Sequence, residues 1–445
     1  MMRSDNPEFQ RQIWLTWSLT RALVMPALLG LAAAAVALAA RDAQEAAANL
    51  ARAAVIGFVV VVWLYGSREA GASMVDEIRD RTWDQQRMGA LLPWPMTWGK
   101  LLGSTSLAWW GGAICAGVYA AAAVQAGLAH WPLTLLTLVA GGVALQALAS
   151  LLNLHMALFD ERLAARGGLW WLLVLALWSF GPISLFSSSA ERSWWGLMVN
   201  GAALTAASAV LIAGCLVVAL WRRTADALAV RQLPWAWPLL SVVLAAWGAG
   251  FGADAADSGK PALLFTTVVV IAAALTYVVL VSEPNHRTRW AGVLARMAQR
   301  DWRKALQQLP LWPASLALVL VAAVLALLAG DATPASPNNL LRAAQSDRVI
   351  PLTVALLLVR DCALACALCW RAGVRRPVGA FLLCLLVLYV LLPWLAGAVE
   401  LKPLVLALLP PVMVVTQGSA IAALAVAAAH AAVGLGLAVW SWRRP

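Results

Sequence analysis

The chain has 445 residues, 62% of them hydrophobic and only 12% charged, with a mean hydropathy of +0.79. Water-soluble domains carry about twice that share of charge, which excludes a soluble globular enzyme or binding module. The formal net charge of +11 does not point to nucleic acid either, because the basic residues gather in loops between apolar runs, where they report topology.

Residues 1–16 mix Arg3, Asp5, Glu8 and Arg11 with apolar positions, and the apolar run that follows is too long for the core of a secretory signal. Runs able to cross a hydrocarbon core about 30 Å thick then recur along the chain. They predict spans at 17–40, 52–66, 101–127, 133–159, 168–187, 197–221, 236–252, 262–282, 311–329, 349–370, 378–396 and 418–441. The second and seventh are short. Residues 330–348 read as an ordinary polar loop. In 397–417, Pro403, Pro410 and Pro411 interrupt an apolar stretch too short to cross, which predicts a re-entrant or interfacial segment.

Counting residues at span borders with the adjacent loop, 24 of the 32 Lys and Arg fall on the side of the N-terminus and seven on the other, with Arg360 inside a span. The asymmetry predicts that both termini are cytoplasmic in a bacterial inner membrane. Two halves share one rhythm: two spans, a long polar cytoplasmic segment, then four more spans. Leu91-Leu92-Pro93-Trp94-Pro95 closes the first polar segment and Leu309-Pro310-Leu311-Trp312-Pro313 the second. Trp-Arg-Arg ends each half, at Trp221 and at Trp442. The predicted fold is therefore an all-α polytopic membrane protein of about 12 transmembrane helices. They form two parallel six-helix repeats, 1–225 and 226–445, with amphipathic cytoplasmic coupling helices at 67–100 and 283–310.

The segment 67–100 places Met74, Ile78, Met88, Leu91 and Leu92 at roughly helical spacing among charges. This predicts an amphipathic helix lying at the interface and broken by Pro93 and Pro95. Its Glu77, Arg81-Thr82, Leu91-Leu92-Pro93 and Gly99-Lys100 resemble the element between spans two and three in permease subunits of type-2 ABC exporters. The second half keeps a charged segment but lacks the Thr and the Gly-Lys. The resemblance implies an ATPase-docking surface of Glu77, Arg79, Asp80, Arg81, Thr82, Trp83, Asp84, Arg87 and Lys100, joined by Arg300, Asp301, Trp302 and Arg303. It also implies a separate ABC ATPase subunit as partner, alongside membrane lipids and further membrane subunits, with no nucleic acid.

No GxxxxGK[ST] loop occurs: five residues before Gly99 stands Trp94, not glycine, and Leu101 follows Lys100. ATP hydrolysis is thus expected on another chain, and no catalytic residue, cofactor or metal is expected on this one. Arg360 and Asp361 are the charged residues deepest in a span. Such charges pair between helices or line a cavity. Neighbours point about 100° apart on a helix, so each is expected to find its partner on another helix. Cys362, Cys366 and Cys369 share a helical face, read as apolar packing rather than a soft-metal site. His155 and His430 are lone histidines in apolar spans. The function expected is the permease subunit of an ATP-driven exporter, forming the translocation pathway. The rivals are an ion-coupled secondary transporter and a non-transporting subunit that relays ATPase motion.

Overall fold

The structure, a computed structural model, describes residues 6–80, 82–89, 92–159, 190–230, 233–253, 261–283, 285–329, 340–371, 373–417 and 419–444. The protein is an all-α polytopic membrane protein. Among the described residues, nine helices are long and apolar enough to cross a membrane, and a tenth span results if a pair bent by 94° counts as one. The expected span 168–187 lies outside the described residues.

The chain divides into two compact units, 1–192 with 199–232, and 193–198 with 233–445. In the first, α1 (Pro7–Thr16) precedes α2 (Leu19–Leu38), α3 (Ala43–Phe58) and α4 (Gly66–Arg79). Then follow α5 (Trp83–Arg87), α6 (Pro93–Ser104), α7 (Ser106–Gln125), α8 (Trp131–Phe159) and, after a short hairpin, α9 (Gly201–Ala227). The second unit holds α10 (Ala236–Ala249), α11 (Pro261–Ser282), α12 (Arg287–Ala298), α13 (Trp302–Gln308) and α14 (Trp312–Leu328). It continues with α15 (Leu340–Trp370), α16 (Pro377–Leu386), α17 (Leu392–Ala398), α18 (Lys402–Leu408), α19 (Pro410–Gln417) and α20 (Ala420–Arg443).

Helix ends follow local chemistry. Asn6, Ser18, Asp42 and Asn200 each accept a hydrogen bond from a first-turn backbone N–H of the helix they cap. Four helices end in the paired bonds of a Schellman turn through a left-handed residue. Gly127 does this for α7, but Ala229, Arg300 and Glu400 do it for α9, α12 and α17.

Three expectations are corrected. The span 197–221 begins later, at Gly201, because Glu191–Trp194 and Leu197–Asn200 pair as a two-stranded hairpin. Trp195 and Gly196 turn it with positive φ at both positions, the backbone that matches strand twist in a two-residue loop. Residues 67–79 are not a separate helix. The helical run Ala43–Ile78 is continuous over 36 residues, α3 passing through a π-helical turn, Val59–Tyr65, into α4. Ala70 and Met74, one turn apart, are fully buried, and Ser150 on α8 donates to the Ala70 carbonyl at 3.1 Å. The apolar stripe therefore faces α8 rather than a bilayer surface. Pro93 and Pro95 begin α6 instead of breaking a helix, since proline is pre-set for the first helical turn and has no N–H to lose there.

The π-helical turn sets the core of the first unit. Its misplaced backbone bonding leaves the Val62 carbonyl to accept from Gln146 Nε2 at 3.0 Å, while Trp63 Nε1 donates to the Leu138 carbonyl at 2.8 Å. Both partners are on α8. Gly142 lets α8 come this close, because a Cβ there would lie 2.8 Å from Val62 Cγ1. In the second unit, α11, α14 and α15 bury a core that includes Val269, Val319, Ala355 and Leu358.

Candidate functional site

The coupling segment of the first unit is built around charges. Asn6 caps α1 and donates from Nδ2 to the Pro95 carbonyl at 2.7 Å, which lays α1 along α6. The close approach depends on Gly99 and Gly103. A Cβ on Gly99 would lie 2.8 Å from Asn6 Nδ2 and 3.0 Å from the Phe9 nitrogen, and one on Gly103 would lie 2.6 Å from Gln12 Cβ. The glycine of the Gly-Lys pair thus has a packing task of its own.

Lys100 is fully buried, with Nζ 2.9 Å from Glu8 Oε1 and in contact with Glu77. Arg11 bonds Glu8 at 3.0 and 2.9 Å and also reaches Glu77. Gln12 Nε2 adds a fourth donor atom, at 2.9 Å from Glu8 Oε1. Two carboxylates and two cations alternate, so the group is electrically balanced where either sign alone is expensive. Burial pushes the Glu8 carboxyl up, but the bonds from Arg11 and Gln12 and the charge of Lys100 outweigh it and hold Glu8 below its usual range. The Arg11 guanidinium is shifted upward, first by its bond to Glu8.

Of the expected docking residues, Glu77 and Lys100 therefore face each other inside the unit. Trp83 is buried with its ring centroid 5.9 Å from Lys100 Nζ. Asp80 and Thr82 close the end of α4, through Asp80 N to the Asp76 carbonyl at 2.8 Å and Thr82 N to the Glu77 carbonyl at 3.0 Å. Arg81 and the side chains of Arg79, Asp84 and Arg87 lie outside the described residues. Among the described side chains from the end of α4 to the start of α6, Asp76, Asp80, Thr82, Gln85, Met88, Leu92 and Trp94 are exposed.

The second unit forms its segment differently. Arg289 donates to the carbonyls of Gln308 and Leu309 at 2.8 and 3.2 Å, and Arg296 donates to Gln308 Oε1 at 3.0 Å, folding α12 against α13. Glu283 Oε2 accepts from the Leu311 N–H at 2.7 Å, and Asn285 Oδ1 accepts from Trp312 Nε1 at 2.8 Å, fixing the start of α14. Arg300 occupies the left-handed turn after α12, and Asp301 caps α13 while holding Lys304 at 2.7 Å. Trp302 and Arg303 are exposed.

A second cluster lies at mid-span in the second unit. Arg360 and Asp361 each find the partner on another helix that was expected, and they also bond each other. The long arginine arm bends to its own neighbour, Nε donating to Asp361 Oδ1 at 2.8 Å. Other helices supply the rest. Tyr277 on α11 and Tyr389, in the π-helical turn Val387–Leu391 between α16 and α17, both donate to Asp361 Oδ2, at 2.5 and 2.7 Å. Arg360 Nη1 lies 3.1 Å from His430 Nδ1, and His430 Nε2 lies 3.0 Å from the Ala407 carbonyl on α18. Arginine has no acceptor, so Nδ1 is the bare nitrogen and Nε2 carries the proton. His430 is thus not alone, and neither is His155, 3.2 Å from an Arg223 nitrogen.

Glu8, Arg11, Tyr277, Tyr389 and Ala407 were invisible as site members in the sequence. The one available signal was scarcity: the chain has four tyrosines, and two of them meet on Asp361. Cys362, Cys366 and Cys369 are free thiols, and no group of three His, Cys, Asp or Glu suited to a metal occurs among the described residues.

No protein-family model, no curated protein and no solved structure matches the chain.

Proposed function

We propose that the chain is the membrane-spanning permease subunit of an ATP-driven exporter of the type-2 ABC class. On this reading it has twelve spans in two parallel six-helix repeats, with both termini in the cytoplasm of a bacterial inner membrane. It forms the translocation pathway and docks on a separate ATPase subunit. The observation that carries the reading is the joining of Glu77 and Lys100, the acidic residue and the Gly-Lys lysine of the resembling segment, with Glu8 and Arg11. Their network fastens the ends of α1, α4 and α6 into one rigid piece. A partner pressing on such a piece moves three helices together.

Each unit then offers its own docking element: in the first the exposed Asp80, Thr82, Met88 and Leu92, with Glu77 and Lys100 as internal brace, and in the second the exposed Trp302 and Arg303. Purification of the tagged chain from its native host in mild detergent tests this. Wild type is expected to retain an ATPase that Met88→Glu with Leu92→Glu loses, while the variant stays monodisperse. If wild type retains no ATPase in several detergents, the reading falls.

A second reading, an ion-coupled carrier, draws on one observation, the carboxylate of Asp361 at mid-span. It would be preferred if the chain alone in vesicles moved a solute against its gradient under an imposed proton or sodium gradient.

A further inference from the structure

A cavity of about 490 Å³ lies in the second unit against the Asp361 cluster. Its walls come from the middle of α11 and α15, from α16 and its π-helical turn, and from the break between α18 and α19. Among them are Ala273, Val354, Leu357, Leu385, Leu409 and Val412. The volume falls within the range of about 300–1,000 Å³ typical of sites for organic ligands.

What fills it follows from its chemistry. A buried water needs two to four polar partners. The side-chain polar groups in this wall are the hydroxyls of Tyr277 and Tyr389, and both protons already go to Asp361. No Lys, Arg, Asp or Glu lines the space. An empty void of this size would forfeit the dispersion contacts of every wall atom. Leu382 and Val412 in the wall are exposed, and Leu382 belongs to a helix run apolar and long enough to cross a membrane, so the cavity opens to the outer surface there. The solvent at that surface is lipid chain.

We propose that this cavity is a binding site for one acyl chain of a bilayer lipid. The chain enters past Leu382 and Val412 and lies against the rings of Tyr277 and Tyr389. Two irregularities of backbone shape the site. The π-helical turn swings Tyr389 onto Asp361, and the break at Leu409 sets Leu409 and Val412 across from α16. With no cation in the wall, the site selects for the hydrocarbon tail and is indifferent to the headgroup. The proposal stands on the membrane setting and is independent of the exporter reading.

The test uses the full chain in vesicles of phosphatidylethanolamine and phosphatidylglycerol, doped with a phosphatidylcholine bearing a diazirine at mid-chain. After irradiation, adducts are mapped by peptide mass spectrometry. Helix α2, none of whose residues is buried, reports ordinary lipid contact. Adducts per residue on 382–389 and 409–412 are expected to exceed those on α2 about tenfold, a preference of about 1.4 kcal/mol. Val354→Phe on α15 and, separately, Ala273→Phe on α11 fill the space and should bring the ratio to one. Val270→Phe, on the exposed face of α11, should leave it unchanged. A ratio near one in wild type, meaning annular lipid only, overturns the proposal, as does an enrichment that survives either filling variant. If neither filling variant folds, the wild-type ratio decides alone.

Discussion

Lys100 is wholly buried, yet it sits between two carboxylates that are themselves nearly so. Removing one partner of such a group leaves charge stranded, at a cost of about 3–5 kcal/mol. Lys100→Met is therefore expected to lower the melting temperature in detergent far more than Arg11→Met, whose side chain is 42% exposed and whose loss costs about 1 kcal/mol. Equal shifts from the two variants would show that Lys100 is not the centre of the network. Glu8 adds a pH signature. Its folded carboxyl lies below its ordinary value of 4.5, so its stabilisation is complete above that value and is lost as pH falls through the lower, folded one. The melting temperature of wild type should drop in that acidic window. Glu8→Gln should lack that part of the drop, and a wild-type profile superimposable on the variant's would refute the assignment.

Asp361 follows the same logic with apolar surroundings. Asp361→Ala strands Arg360 and frees two tyrosine hydroxyls, and is expected to cost about 3 kcal/mol or more. Replacing both charges, Arg360→Met with Asp361→Leu, should recover most of that loss, as read by thermal unfolding. A double variant no more stable than Asp361→Ala would mean that the tyrosine bonds, rather than the stranded charge, dominate.

Between elements, closeness is set by glycine. On α20 a Cβ at Gly434 would lie 2.9 Å from both Cα and the carbonyl oxygen of Arg360, backbone that cannot swing aside, while one at Gly436 would meet nothing within 4 Å. Lipid is as apolar as leucine, so contact distance governs helix association here. Gly434→Ala should destabilise the second unit by about 1–3 kcal/mol and Gly436→Ala should not. Matching melting temperatures for the two would place the α15–α20 contact elsewhere.

What was legible in the sequence follows from the same physics. Hydropathy adds up along a run, so apolar helices announce themselves: nine of the expected spans coincide with a helix long enough to cross, 311–329 falls in the bent pair, and 236–252 meets only a shorter helix. The side of a helix does not add up. Ala70 and Met74 read equally well as facing lipid or α8, and the tilt toward α8 depends on Ser150 and on the α8 glycines, some 70 residues away. Glu8 and Lys100 are 92 positions apart and carry no local mark of their pairing. Arg360 and Asp361 stood out because charge is rare at that depth. Their mutual bond was missed because helical angle describes where Cβ points, and an arginine side chain reaches well beyond it.

At the scale of the whole molecule, the lopsided distribution of Lys and Arg gives the proposed topology a direct check. Arg303→Cys should resist a membrane-impermeant maleimide in intact cells and react after lysis, whereas Lys402→Cys should react at once. The six native thiols are buried or half-buried and lie in helices, so they give a low background. Reversed labelling would invert the protein and place both polar segments out of an ATPase's reach.

The unbroken run from Ala43 to Ile78 has a further consequence at this scale. Thirty-six residues at about 1.5 Å each make a rod of about 54 Å, against a hydrocarbon thickness of about 30 Å. Near its midpoint, Val62 and Trp63 are pinned to α8 by Gln146, Gly142 and the Leu138 carbonyl. Ser150 bonds the same rod to α8 a second time, at Ala70, so the two helices are joined over about 12 Å. A sideways load applied near Glu77 is therefore borne by α8 as well, and the two helices shift as a pair.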